Sequence, residues 1–132
     1  MREILLPPMN SLAAPGPAPD MSVVLVCWNN REYLESCLQS LFAAGLRCRF
    51  DVVVVDNGST DGSRDQLKKL EANHPEWIFI YHEVNQGKGA ALRNGFAAAR
   101  GDLILVQDAD LEYDPQDYPA LLAPIDWAPV LV

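Results

Sequence analysis

Four short apolar runs recur along the chain with helix-length segments between them, and this alternation restricts the possible folds more than any other feature. The runs are Ser22 to Cys27, Phe50 to Val55, Trp77 to His82 and Leu103 to Val106. The first, second and fourth are almost continuously apolar, as parallel strands covered on both faces are. In the third, Trp77, Phe79 and Tyr81 alternate with Ile78 and Ile80, which fits a place nearer a sheet edge. The segment from about Arg31 to Ala44 carries Leu34, Cys37, Leu38 and Leu41 at helical spacing. Asn29 or Asn30 is its cap and Gly45 its terminator. A second helix, Ser63 to Asn73, has few apolar residues and should be the most exposed. Thr60 or Asp61 caps it and Pro75 closes it. The third, Ala90 to Arg100, is rich in alanine and suited to close packing, with Gly101 placed as a left-handed C′ residue. Asp114-Pro115 opens a short fourth helix reaching Leu122, and Pro124 stops it. A β-α-β-α-β-α-β-α order implies an α/β fold: a mostly parallel sheet, right-handed crossovers and helices on both faces.

The 132 residues suit one domain. Residues 1–20 hold Pro7, Pro8, Pro15, Pro17 and Pro19 and read as a flexible leader. The domain proper is expected over 21–125, with a tail at 126–132. A net charge of −8 argues against a nucleic-acid footprint, which needs a basic face. Cys27, Cys37 and Cys48 form no C-x-x-C pair, so reduced thiols in a cytosolic compartment are expected. No apolar run approaches the roughly 20 residues of a membrane-spanning helix. The expected location is cytoplasmic, with room for peripheral contact with a membrane.

The chemistry gathers where the strands end. Beyond Leu103 to Val106 come Gln107-Asp108-Ala109-Asp110-Leu111-Glu112. Side chains two apart in an extended segment point the same way, so Asp108 and Asp110 can converge on one ion. Hard cations such as Mg²⁺ or Mn²⁺ take such oxygen ligands together with substrate phosphates. The carboxyl ends of strands are also where open α/β sheets place ligands. A solvated loop is the plainer reading of an isolated Asp-x-Asp. Trp28, after the first strand, either caps the core or offers a flat face to a nucleobase. Asp56, after the second, is either a cap or an acceptor for base N–H groups. Lys88 and Arg93 are the basic groups best placed to meet a diphosphate, although Gly87-Lys88-Gly89 matches neither a P-loop nor a dinucleotide fingerprint. His74 and His82 have no catalytic partner at a recognisable spacing and are read as structural or exposed.

Together, Ser22–Asn30 (SVVLVCWNN), Val55–Ser63 (VDNGSTDGS), Asn85–Gly95 (NQGKGAALRNG) and Gln107–Glu112 (QDADLE) closely resemble the nucleotide-sugar half of the family 2 glycosyltransferases. The look is nearest to the polyprenyl-phosphate (dolichol-phosphate) mannosyl- or glucosyltransferase branch. The resemblance covers about residues 21–125 and implies a Rossmann-like three-layer α/β/α domain of the GT-A type, truncated relative to the family. It implies Trp28 against the base, with Asn29 beside it, and Asp56 and Asn57 hydrogen-bonding base and ribose. It places a metal on Asp108 and Asp110 with Glu112 as third ligand, and sets Lys88 and Arg93 on the donor side. The implied activity is transfer of a sugar from a GDP- or UDP-linked donor, with Mg²⁺ or Mn²⁺, to a polyprenyl phosphate. Acidic oxygens at the tips of separate strands are then expected to share one crevice. Val26 stands where the family often has Pro, Asn30 where it often has Glu, and Asn57 where many members have Asp. Members continue beyond this chain into an acceptor half. A donor-binding module without turnover is therefore the alternative. A phosphohydrolase is disfavoured, because its nucleophilic Asp belongs on the first strand. A fourth strand without its usual neighbours should expose an apolar edge, inviting self-association or a second chain.

Overall fold

A computed structural model describes residues 18–46, 48–109 and 115–123. Its elements are β1 (Met21–Cys27), α1 (Arg31–Ala43), β2 (Phe50–Asn57), α2 (Ser63–Asn73), β3 (Ile78–His82), α3 (Lys88–Ala98), β4 (Leu103–Asp108) and, after the 3₁₀ turn Pro115–Asp117, α4 (Tyr118–Leu122). The four strands form one sheet in the order β3-β2-β1-β4, and every pairing is parallel. The expected α/β alternation is thus the observed one, with β1 and β2 central and buried, apolar through Val23–Val26 and Val52–Val55.

The pleat sorts the core into two layers. Met21, Val23, Leu25 and Cys27 of β1 join Val52 and Val54 of β2 on the face covered by α1, α2 and α4. Leu34, Cys37, Leu38 and Leu41 of α1 are all buried there, the stripe that their spacing predicts. Burying a leucine side chain contributes roughly 1.5–3 kcal/mol, so this stripe is a main support of the fold. Val24, Val26, Val53 and Val55 point to the other face, against α3. That helix sits unusually close: a Cβ on Gly95 would lie 2.5 Å from Val24 Cγ1.

Several boundaries differ from the sequence-based expectation, each for a local reason. Trp77 lies outside β3, where its ring stacks on Phe42 and His74. α3 starts at Lys88 and ends at Ala98. Gly101 is not left-handed; it is glycine because a Cβ would lie 2.5 Å from the backbone of Met21 and Ser22. Gly45 does adopt φ +70 after α1. Asn30 is the α1 N-cap, but its side chain accepts from the Trp28 amide and makes no cap bond. Asp61 takes over that task, accepting from the Arg31 amide at 3.1 Å. Gly62, not Thr60 or Asp61, occupies the α2 N-cap. The expected helix opening at Asp114 begins in the described residues as the 3₁₀ turn, with α4 behind it; Asp114 itself lies outside them. β3 takes one sheet edge, as its alternation suggests, and β4 takes the other, leaving Ile104 43% exposed.

Candidate functional site

The loops following β1, β2 and β3 meet at the carboxyl edge of the sheet. Asn29, at φ 53, donates its amide to Ser59 Oγ (2.9 Å) and accepts from the Thr60 amide (2.8 Å). Asp61 then ties the amides of Arg31 and Ser63 together. Burial pushes the Asp61 carboxyl up, but bonds from the Ser63 hydroxyl and amide and from the Arg31 amide outweigh this and lower its pKa. The first loop is therefore stitched to the second, and Trp28 stands out from the seam 50% exposed. A half-exposed indole held by its own backbone can offer a ring face to a planar ligand.

Alternation along the strands decides where each acid points. Asp56 lies on the α1/α2 face, where Arg64 Nε donates to Oδ2 at 2.7 Å and the Ser59 amide donates to Oδ1 at 3.1 Å. Arg64 also donates to the His82 carbonyl. Asp56 has no exposed surface. Asn57 faces the other way and is equally occupied. Its Oδ1 accepts from the Gln86 amide (3.0 Å), lies 3.1 Å from His82 Nδ1, and its Nδ2 donates to Asn85 Oδ1 (3.2 Å). An oxygen that already accepts from an amide calls for a proton on Nδ1, which leaves His82 Nε2 to accept from Asn94 Nδ2 at 2.8 Å. In this conformation neither Asp56 nor Asn57 presents a side-chain surface to a base, because both are spent holding loops in place.

Asp108 ends β4 in register with Val26, on the α3 face. Lys88, the first residue of α3, donates to its Oδ2 at 2.8 Å. The backbone here is well anchored: Asp108 O accepts from Gln107 Nε2 at 2.9 Å and from the Cys37 thiol, while Ala109 donates to Val26 O. Among the described residues, the Asp56 and Asp108 side chains do not share one crevice. Asp56 is sealed beneath α2, and Asp108 faces α3. Arg93 is exposed on α3 beside Gly89. Asp110 and Glu112 lie outside the described residues, among which no group of three His, Cys, Asp or Glu side chains could hold a metal. The described residues thus bring one strand-end carboxylate, Asp108, to this side of the edge, paired with the Lys88 ammonium.

Other features narrow the chemistry. Burial, with the charge of Asp56 nearby, pushes the Cys27 thiol up to about 11, so it is no nucleophile near neutral pH. The three cysteines are free thiols. An open cleft of about 590 Å³, lined by Leu46, Cys48, Pro119 and Leu122, lies at the amino edge of the sheet, away from the acidic strand ends. No helix among the described residues is long and apolar enough to cross a membrane. Ser59, Arg64, Asn85 and Asn94 also belong to this edge, and nothing in the sequence beyond their polar side chains marks them, because the partners that place them lie 8 to 30 residues away.

A parallel α/β domain with an exposed indole and an ion-paired carboxylate at its carboxyl edge belongs to the class that binds ligands across strand ends. Residues 22–132 match the model for Glycosyl transferase family 2, and the chain belongs to that family. It is 34% identical over 112 residues to an undecaprenyl-phosphate 4-deoxy-4-formamido-L-arabinose transferase of Pseudomonas savastanoi, covering 83% of this chain and 33% of that one. Against a dolichol-phosphate mannosyltransferase of Pyrococcus furiosus it is 31% identical over 105 residues, covering 80% and 30%. Among solved structures, a mannosyltransferase of Pyrobaculum calidifontis in complex with GDP-Man and Mn²⁺ superposes with a TM-score of 0.68 at 25% identity, over 93% of this chain and 36% of that one. These neighbours have the GT-A fold. The chain spans about a third of the length of these relatives.

Proposed function

We propose that this chain is the donor-binding part of a metal-dependent glycosyltransferase that moves a sugar from a nucleoside diphosphate to a polyprenyl phosphate. The observation that carries the reading is the carboxylate–ammonium pair of Asp108 and Lys88 at the end of β4, one strand from the exposed ring of Trp28. Trp28 stacks on the nucleobase. Asn29 fixes the backbone that presents it, while Asp56 and Asn57 act from beneath by holding the loops around the base. Lys88 and Arg93 meet the diphosphate. Asp108, Asp110 and Glu112 hold Mg²⁺ or Mn²⁺. Bound there, the ion supplies Lewis-acid stabilisation of the charge that develops on the leaving diphosphate, an effect worth several kcal/mol. These carboxylates are ligands and not a glycosidase acid–base pair. A phosphate acceptor is already anionic, so attack on the anomeric carbon asks little of a general base. The relatives named for undecaprenyl-phosphate and dolichol-phosphate transfer support that acceptor class.

Calorimetric titration of UDP and GDP with and without Mn²⁺, followed by a transfer assay on a polyprenyl phosphate, tests the proposal. Metal-dependent binding of one nucleotide with transfer is the expected result. Binding without transfer would favour a donor module whose acceptor half lies elsewhere, and no binding of either nucleotide would refute the reading.

A further inference from the structure

We infer that Ser59 is a positioning residue for Trp28: its hydroxyl holds the chain on both sides of the indole and so sets the direction in which the ring is offered to a nucleobase. The inference rests on the donor site proposed above and adds to it a residue that acts through Trp28.

The hydroxyl meets both residues that flank Trp28. Its Oγ accepts from the Asn29 amide at 2.9 Å and lies 4.0 Å from the Cys27 thiol. A serine oxygen can accept one hydrogen bond while donating another, so the two contacts are compatible. The Trp28 amide itself donates to Asn30 Oδ1 at 2.8 Å. Every residue from Cys27 to Asn30 is thus tied, while the indole they carry is half exposed. No aromatic ring among the described residues stacks on that indole. Its direction therefore follows from the backbone beneath it, and Ser59 braces that backbone.

Ser59 is in turn held from below. Its amide donates to Asp56 Oδ1 at 3.1 Å, and Asp56 is wholly buried and paired with Arg64. The residue before it, Gly58, has φ +80, and a Cβ there would lie 2.4 Å from the Asn85 amide nitrogen. The loop after β2 is therefore pressed against the loop after β3, and only glycine fits at that contact. The residue after it, Thr60, donates its amide to Asn29 Oδ1. A hydroxyl seated on an ion-paired sheet end passes that fixed reference on to Trp28. Ordering a stacking ring in advance reduces the entropy lost when a ligand binds. The Asn29 amide is exposed, so water can replace the hydroxyl there, and its removal loosens the ring more than the fold.

The test joins fluorine NMR of the fluorotryptophan-labelled chain to calorimetric titration of UDP and GDP with Mn²⁺. It uses the native sequence, Ser59→Ala, Ser59→Thr and Trp28→Ala, the last of which also assigns the Trp28 resonance. In Ser59→Ala the Trp28 resonance should shift or broaden, while that of the core residue Trp77 stays in place. Nucleotide affinity should fall about two- to tenfold, the range for one lost hydrogen bond. Ser59→Thr keeps the hydroxyl and should restore both readouts, and Trp28→Ala should lose at least as much affinity as Ser59→Ala. An unmoved Trp28 resonance in Ser59→Ala overturns the inference, as does an equal displacement of Trp77 or an equal loss in Ser59→Thr. Native affinity in Ser59→Ala beside weakened binding in Trp28→Ala also overturns it, but leaves the donor-site reading standing. Native affinity in Trp28→Ala, or no nucleotide binding by the native chain, overturns both.

Discussion

The two sides of the carboxyl edge are held by opposite means. Around β2, the seam from Asn29 through Ser59, Thr60 and Asp61 to Asp56 and Arg64 is cross-linked by side-chain-to-backbone bonds, and its central acid is wholly buried. At β4, one part-enclosed carboxylate faces a lysine that is mostly in solvent. The first region is a cross-linked scaffold presenting Trp28, and the second is an ion pair with one partner largely in solvent. Two acids that look alike in sequence are thus set to different work by the face of the sheet each occupies.

Removing Arg64 should disturb the fixed side most. Arg64→Ala leaves Asp56 buried without its cation, and a loss of about 3 kcal/mol is expected in urea unfolding. The double variant with Asp56→Asn should recover part of that loss, because the uncompensated charge is gone. A smaller effect is expected of Asn29→Ala, which removes the Oδ1 acceptor of the Thr60 amide and leaves alanine at positive φ, at about 1–2 kcal/mol. On the β4 side, Lys88→Met should cost about 1 kcal/mol, less than the loss at Arg64, because the lysine is mostly in solvent although the acid is largely enclosed. A large loss there would erase the contrast. The smallest effect concerns acid. Because the folded Asp61 pKa lies below its ordinary 3.8, its contribution is complete above that value and fades as pH falls through the lower one. The stability gap between the native chain and Asp61→Asn should therefore narrow under acid.

Much of the architecture was legible because it depends on periodicity. The apolar runs and the α1 stripe specify strands, helix and faces with no knowledge of partners. Positions defined by distant neighbours were less so. Gly101 looks like a helix terminator but is a contact with β1, and Asp61 looks like its own helix's cap, yet Gly62 holds that position and Asp61 accepts from the first amide of α1. Asp56 shows the same limit at the site: its place at a strand end was readable, while its closure by Arg64 depends on how α2 packs. The pairing of Lys88 with Asp108 joins two residues already singled out, but only the register of β4 on β1 puts both on one face.

The central claim, that the strand-end acids hold an ion for a nucleoside diphosphate, is tested most directly by titrating UDP and GDP with Mn²⁺ into Asp110→Ala. Unchanged far-ultraviolet circular dichroism with loss of metal-assisted nucleotide binding is the predicted result. Native affinity and native metal dependence in that variant would contradict the account.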